Sequence, residues 1–155
     1  MHPNCLAVDA ILESAGVAGR VRILEEAAPT AAAAAALLGV EVGAIANSLV
    51  FATAEREPVL IMTSGAHRVD TSKAAALFGT RRLSRADPEL VYSATGQRIG
   101  GVAPVGHPKP LRTLIDEHLA TFRQVWAAGG IAHAVFPTTF DELLALTGGA
   151  PAEVA

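Results

Sequence analysis

The stretch Ile45–Thr63, IANSLVFATAEREPVLIMT, holds two apolar runs, Ile45–Phe51 and Val59–Thr63, separated by the polar insert Glu55-Arg56-Glu57-Pro58. Short aliphatic runs bounded by charge and proline read as strands, so this stretch is expected to form a β-hairpin. Working outward, Val8, Ile11, Leu12 and Ala15 recur at helical spacing before Gly16, which predicts a first helix over Asn4–Ala15. Arg20-Val21-Arg22-Ile23 alternates as a half-buried strand does. Thr30 is placed to cap an alanine-rich helix, Ala31–Leu38, that Gly39 ends.

Downstream of the hairpin, Asp70 or Thr71 can cap a helix over Lys73–Phe78, and Asp87-Pro88 supplies a cap and a first-turn proline ahead of Glu89–Ala94. A short strand over Arg81–Leu83 fits between them. Leu111–Phe122 suits either a helix or, from Thr113, a strand. Gly129-Gly130 predicts a two-residue hairpin turn between Gln124–Ala128 and Ile131–Phe136, and Thr139 with Glu142 forms a capping box for a closing helix. About six strands and four or five helices imply an α/β fold of the α+β type, a mixed sheet, curled or closed, partly covered by helices.

The composition narrows the function. Residues 1–155 suit one domain, with 51% hydrophobic but only 5% aromatic residues, so the core is expected to be aliphatic. A net charge of −3 excludes non-specific nucleic-acid binding, which needs an excess of cations, while leaving room for local contact with one nucleic-acid end. The single cysteine, Cys5, excludes an internal disulfide and is expected to be a small buried residue. No signal-peptide pattern and no run of about 18 apolar residues is present, so no membrane partner and a cytoplasmic location are expected.

The chemistry points to Gly96–Pro108, GQRIGGVAPVGHP, where four glycines and two prolines fall in one short stretch. Adjacent glycines allow backbone amides to converge on a polarised oxygen while prolines fix the flanks; the same spacing also suits a purely structural turn or bulge. Neither a dinucleotide nor a phosphate-loop spacing is present. His107 within this stretch reads either as a water-orienting base or as a polar turn residue. His67, Arg68 and Asp70 read as holding a loop. Arg81, Arg82 and Arg85, with Arg68 and Lys73, read either as a modest phosphate-binding face or as ordinary solvated surface. No histidine spacing supports a metal site, and neither Ser48 nor Ser64 lies in a nucleophile elbow.

The run Ser93–Asp116, SATGQRIGGVAPVGHPKPLRTLID, resembles the central motif of the YbaK/ProX/EbsC proteins, editing domains related to the insertion domain of prolyl-tRNA synthetase. Leu38-Gly39-Val40, Ile45–Phe51, SGAHRVDTSKAAALFG at Ser64–Gly79 and VWAAGG at Val125–Gly130 follow in the family's order, so the resemblance spans about Ala31–Leu144. It implies a barrel-like mixed sheet and hydrolysis of a mischarged aminoacyl-tRNA ester in trans. Its partners would be the acceptor end of the tRNA and an aminoacyl-tRNA synthetase, and no metal or organic cofactor is implied. Gly100 and Gly101 match the glycine pair whose amides line the aminoacyl pocket, and Pro104 matches its turn proline. Asn47, in Asn47-Ser48-Leu49, stands where deacylases of the family present a lysine, and Ala128, before Gly129, stands where some have a serine. Asn47 is then the side chain that polarises the carbonyl or holds the adenosine, with Ser48, Ile99, Val102, Pro104, His107, Ala128 and Gly129 around the substrate. The missing lysine motivates a second reading, a non-catalytic module of the same fold that binds an amino-acid-like ligand or a partner protein.

Overall fold

A computed structural model describes every residue from Met1 to Ala155. Its strands are β1 (Arg22–Ile23), β2 (Ile45–Thr53), β3 (Pro58–Ser64), β4 (Leu83–Arg85), β5 (Arg112–Asp116), β6 (Val125–Ala128), β7 (Ala134–Thr138) and β8 (Ala150–Ala152). Its helices are α1 (Pro3–Ser14), α2 (Ala31–Leu38), α3 (Thr71–Phe78), α4 (Pro88–Thr95) and α5 (Phe140–Thr147). None of them is long and apolar enough to cross a membrane.

The expected hairpin is the centre of the molecule. β2 and β3 pair antiparallel from Ala46↔Ser64 to Ala52↔Pro58. Because alternate side chains point to opposite faces, Ala46, Val50, Leu60 and Met62 join one core cluster with Val8, Leu12 and Phe136, while Phe51, Val59 and Ile61 join another with Phe78, Leu83 and Val154. Both faces are covered, which is why these runs read as nearly continuous apolar sequence. Leu60, Ile61 and Met62 are fully buried, and each contributes roughly 1.5–3 kcal/mol of transfer free energy.

Sheet order is β1-β7-β6-β2-β3-β5-β8, with β4 also paired to β2. The sheet is mixed but does not close, since β1 and β8 are free edges. Side chains of Thr30, Asp70, Asp87 and Thr139 accept the backbone N–H groups of Ala33, Lys73, Leu90 and Glu142, so four helices start where capping residues place them. Cys5 lies fully buried in α1, and burial raises its thiol pKa.

Several local expectations shift. β4 begins two residues later than Arg81–Leu83 because Leu83 is the residue that buries and pairs with Thr53, whereas Arg81 and Arg82 stay exposed. Leu111–Phe122 divides into β5, parallel to β3, and a 3-10 turn over Glu117–Thr121. The connection after β6 is longer than a Gly129-Gly130 turn: Gly129 N–H donates to Ala134 C=O, and β7 starts only at Ala134, leaving His133 outside the strand.

Candidate functional site

Along its edge away from β3, β2 has two successive neighbours. It runs parallel to β6 at Ile45↔Trp126 and Ala46↔Ala127, then antiparallel to β4 from Phe51↔Arg85 to Thr53↔Leu83. Between them the edge is open. Gly65 N–H donates to Ile45 C=O and Thr53 N–H to Glu57 C=O, so odd-numbered amides of β2 face β3 and even-numbered ones face the other way. Val50 C=O is taken up by Ala86 N–H. The backbone of Ser48 therefore points into the gap, with no strand on that side.

The gap opens on a cavity of about 270 Å³ walled mainly by apolar side chains, including Ala31, Ala34, Ile45, Trp126 and Val135. Asn47, Ser48, Ile99, Gly100, Val102 and Ala128 all line it. The pleat sends Asn47 and Ser48 to opposite faces of β2, and the cavity wraps the edge to reach both. Asn47 is half-buried, and its side-chain amide makes no hydrogen bond within the protein. Ser48 Oγ donates to Met62 Sδ at 3.1 Å. Arg85 is the one ionisable side chain in the lining.

The glycine-rich stretch closes the opposite wall. Gly96 ends α4 with φ 72°, and Arg98–Gly101 then forms a turn in which Gly101 N–H donates to Arg98 C=O at 3.1 Å. Gly100, at φ +95°, occupies the turn position that requires positive φ. Gln97, 2% exposed, holds the loop from within: its Oε1 accepts Ala103 N–H at 2.7 Å and its Nε2 donates to Val105 C=O at 3.3 Å. The N–H groups of Arg98, Ile99, Gly100 and Val102 remain unpaired, and the last three belong to residues that line the cavity. Fixed, unpaired amides against an apolar space suit the stabilisation of a polarised carbonyl oxygen.

Four residues expected at the site lie outside this lining. Gly101 spends its N–H on the turn and packs against the Ile131–Ala132 backbone. Pro104 is buried behind the loop. His107 Nε2–H donates to Ala103 C=O at 2.8 Å, and burial lowers the imidazole pKa against the smaller opposing effect of that bond. Gly129 is bonded to Ala134 beside Val21. Sequence reasoning missed Gln97, whose only signal is an amide side chain among glycines, and it left Arg85 in the phosphate face without a link to the cavity. It also paired His67 with Asp70, yet Asp70 caps α3 and His67 Nδ1 sits 2.8 Å from Oδ2 of the buried Asp116. Lys73 turns away from the arginines to Glu153.

The profile of the aminoacyl-tRNA editing domain family matches residues 25–146. The chain belongs to that family. Its aminoacyl-tRNA editing fold is also seen in a crystal structure described as a candidate trans-editing enzyme for prolyl-tRNA synthetase, with TM-score 0.91, 42% identity and coverage of 99% of this chain and 98% of that one. A Bacillus subtilis protein of uncharacterised function, YwhH, is 33% identical over 121 residues, 77% of this chain and 75% of its own length. The proline–tRNA ligase of Limosilactobacillus fermentum is 31% identical over 90 residues, 56% of this chain but 16% of the ligase, so the likeness is to one part of that synthetase.

Proposed function

We propose that this editing domain hydrolyses the ester of a mischarged aminoacyl-tRNA in trans, with a small aliphatic aminoacyl group in the apolar cavity. The observation that carries this reading is the set of unpaired amides at Gly100 and Val102 on the wall of a space that offers the substrate no carboxylate, imidazole or thiol. With the ester C=O directed at those donors, water adds to the carbonyl carbon, the C–O bond to the ribose breaks, and the free amino acid and ribose hydroxyl leave. Negative charge on the carbonyl oxygen is greatest in the transition state, where fixed donors are most effective. The resemblance to the family supplies the means of activating water, the neighbouring ribose hydroxyl, which fits a cavity without a protein base. Asn47 donates a further hydrogen bond to the substrate.

The same lack of a base favours, as a second reading, a module that binds an amino-acid-like ligand or a partner protein without turnover. A panel of mischarged tRNAs separates the two. Ester loss well above the buffer rate for at least one small aliphatic amino acid is expected, whereas saturable binding with no acceleration for any member would establish the binding module.

Asn47 gives a finer test. Because its amide is unpaired and half-exposed, Asn47→Ala is expected to leave the melting temperature unchanged and to lower kcat/KM about tenfold, the loss of one hydrogen bond in the transition state. Asn47→Lys places a cation where water can still reach it and is expected to raise kcat/KM. Full activity in Asn47→Ala would remove the residue from the site.

A further inference from the structure

β1 is two exposed residues at one edge of the sheet, yet one of them reaches the cavity wall. Arg22 pairs with Val135 on β7, Val135 pairs with Ala128 on β6, and Trp126 lies two residues from Ala128. Residues directly opposite across strands, and residues two apart on one strand, share a face. Arg22 and Trp126 therefore point to the same side of the sheet, and the Arg22 guanidinium sits over the Trp126 ring, 4.9 Å from its centre. Arg22 takes part in none of the protein's ion pairs, although Glu25 and Glu26 follow closely in sequence. Its side chain makes no hydrogen bond within the chain, so the ring is its partner.

Trp126 is 7% exposed and is the one aromatic side chain in the lining of the apolar cavity, where alanine is the commonest residue. The indole packs in a cluster with Ala34, Ala35, Ile45 and Val135. Short alanine side chains leave a large ring room to turn. The indole N–H donates to no group of the protein, so no hydrogen bond fixes the ring either. Arg22 supplies what these neighbours do not: a planar cation stacked on one face of the ring, a contact that shifts an exposed equilibrium by about two- to fivefold. In a space walled by alanine, the orientation of one indole decides how much volume is left for a ligand. A methyl side chain is little affected, whereas a branched one competes with the ring, and each methylene refused by an apolar pocket is worth about tenfold or more in selectivity.

We propose that Arg22 is a positioning residue that holds the Trp126 indole in place from the sheet edge, and that the braced ring limits the size of the aminoacyl side chain the cavity accepts. The first half stands on the contact alone; the second rests on the editing reading above. Trp126 is the chain's only tryptophan, so its fluorescence reports one ring at one site. The test compares the parent, Arg22→Ala, Arg22→Lys and Trp126→Leu by fluorescence, by thermal denaturation and by hydrolysis of alanyl-, valyl- and leucyl-tRNA. Arg22 is exposed, so its variants are expected to fold even where Trp126→Leu does not. Arg22→Ala is expected to shift the Trp126 emission to the red, to raise its quenching by acrylamide, and to lower the ratio of kcat/KM for the alanyl over the leucyl ester by about two- to fivefold. Arg22→Lys keeps a cation over the ring and restores both readouts, and Trp126→Leu lowers the ratio at least about tenfold. Parental emission and quenching in Arg22→Ala would overturn the positioning role. Altered emission with all three esters slowed alike, and the ratio unchanged, would overturn the size limit and leave Arg22 a structural brace. A parent that hydrolyses none of the esters, with emission still dependent on Arg22 and rescued by Arg22→Lys, would sink the editing reading and sustain the brace.

Discussion

A Cβ placed on Gly100 would sit 3.7 Å from Pro29 Cβ, an ordinary contact, whereas one on Gly101 would come within 2.6 Å of Ala132 N. The two neighbours therefore fail differently when substituted. Gly100→Ala has space but must hold a positive φ, at a cost of about 1–2 kcal/mol, and it is expected to fold while losing activity as the turn relaxes. Gly101→Ala has to push two backbone segments apart, and its melting temperature is expected to fall further than that of Gly100→Ala; equal stability of the two in thermal denaturation would contradict this. His107 makes a prediction about pH. Its pKa lies below the ordinary histidine value, so as pH drops from about 6.5 the unfolded chain takes up a proton that the folded chain refuses. Its contribution to stability is thus complete above that range and is lost on acidification. His107→Gln keeps a donor for Ala103 C=O but does not titrate, and its melting temperature is expected to fall less steeply than the parent's between about pH 7 and pH 5.

At the scale of elements, the open stretch of β2 is the feature on which the site depends, and it can be probed without disturbing the hairpin. The amide of Ser48 points away from β3, so a proline there removes an N–H that the ladder does not use, as on an edge strand. Ser48→Pro is expected to remain folded and lose activity at least about tenfold if that amide faces the ester, while Ser48→Ala, which deletes only the hydroxyl held by Met62, keeps most of it. Parental rates in Ser48→Pro would show that the gap serves only as access. The gap itself was not legible in the sequence. Hairpin and helix starts were, because alternation, capping side chains and first-turn prolines are local signals. The alternation at Arg20–Ile23 pointed to β1, but the strand keeps only Arg22 and Ile23 and both are exposed rather than half-buried, while β8, Ala150-Pro151-Ala152, has no pattern to read; each exists because a neighbouring strand offers an edge. Where β6 stops and β4 begins along β2 is likewise decided by chain segments far apart in sequence.

Across the whole molecule, the same division separates what was legible of the site. Asn47, Ser48, Ile99, Gly100, Val102 and Ala128 meet at one cavity from three separate segments, an assembly that family motifs imply. The displacement of Gly101, Pro104, His107 and Gly129 behind its wall follows from turn closure and burial, which no motif states. Charge is distributed just as unevenly. With 12 basic and 15 acidic residues the chain as a whole repels an RNA, so any binding to tRNA has to come from local groups whose cations are not already neutralised. Arg81, Arg82 and Arg85 form such a group at β4: none is in an ion pair, all three are exposed, and Arg85 stands both at the cavity and 5.6 Å from the Phe51 ring centre. Each phosphate neutralised on duplex RNA releases counterions, and log affinity falls with log salt by about 0.9 per contact on B-form DNA and somewhat less on single strands. Replacing all three arginines by alanine is therefore expected to weaken binding of an intact tRNA most strongly at low salt and to flatten the slope by roughly 2. A titration from about 50 to 200 mM salt in which the triple variant keeps the parent's slope would leave these arginines as ordinary solvated surface.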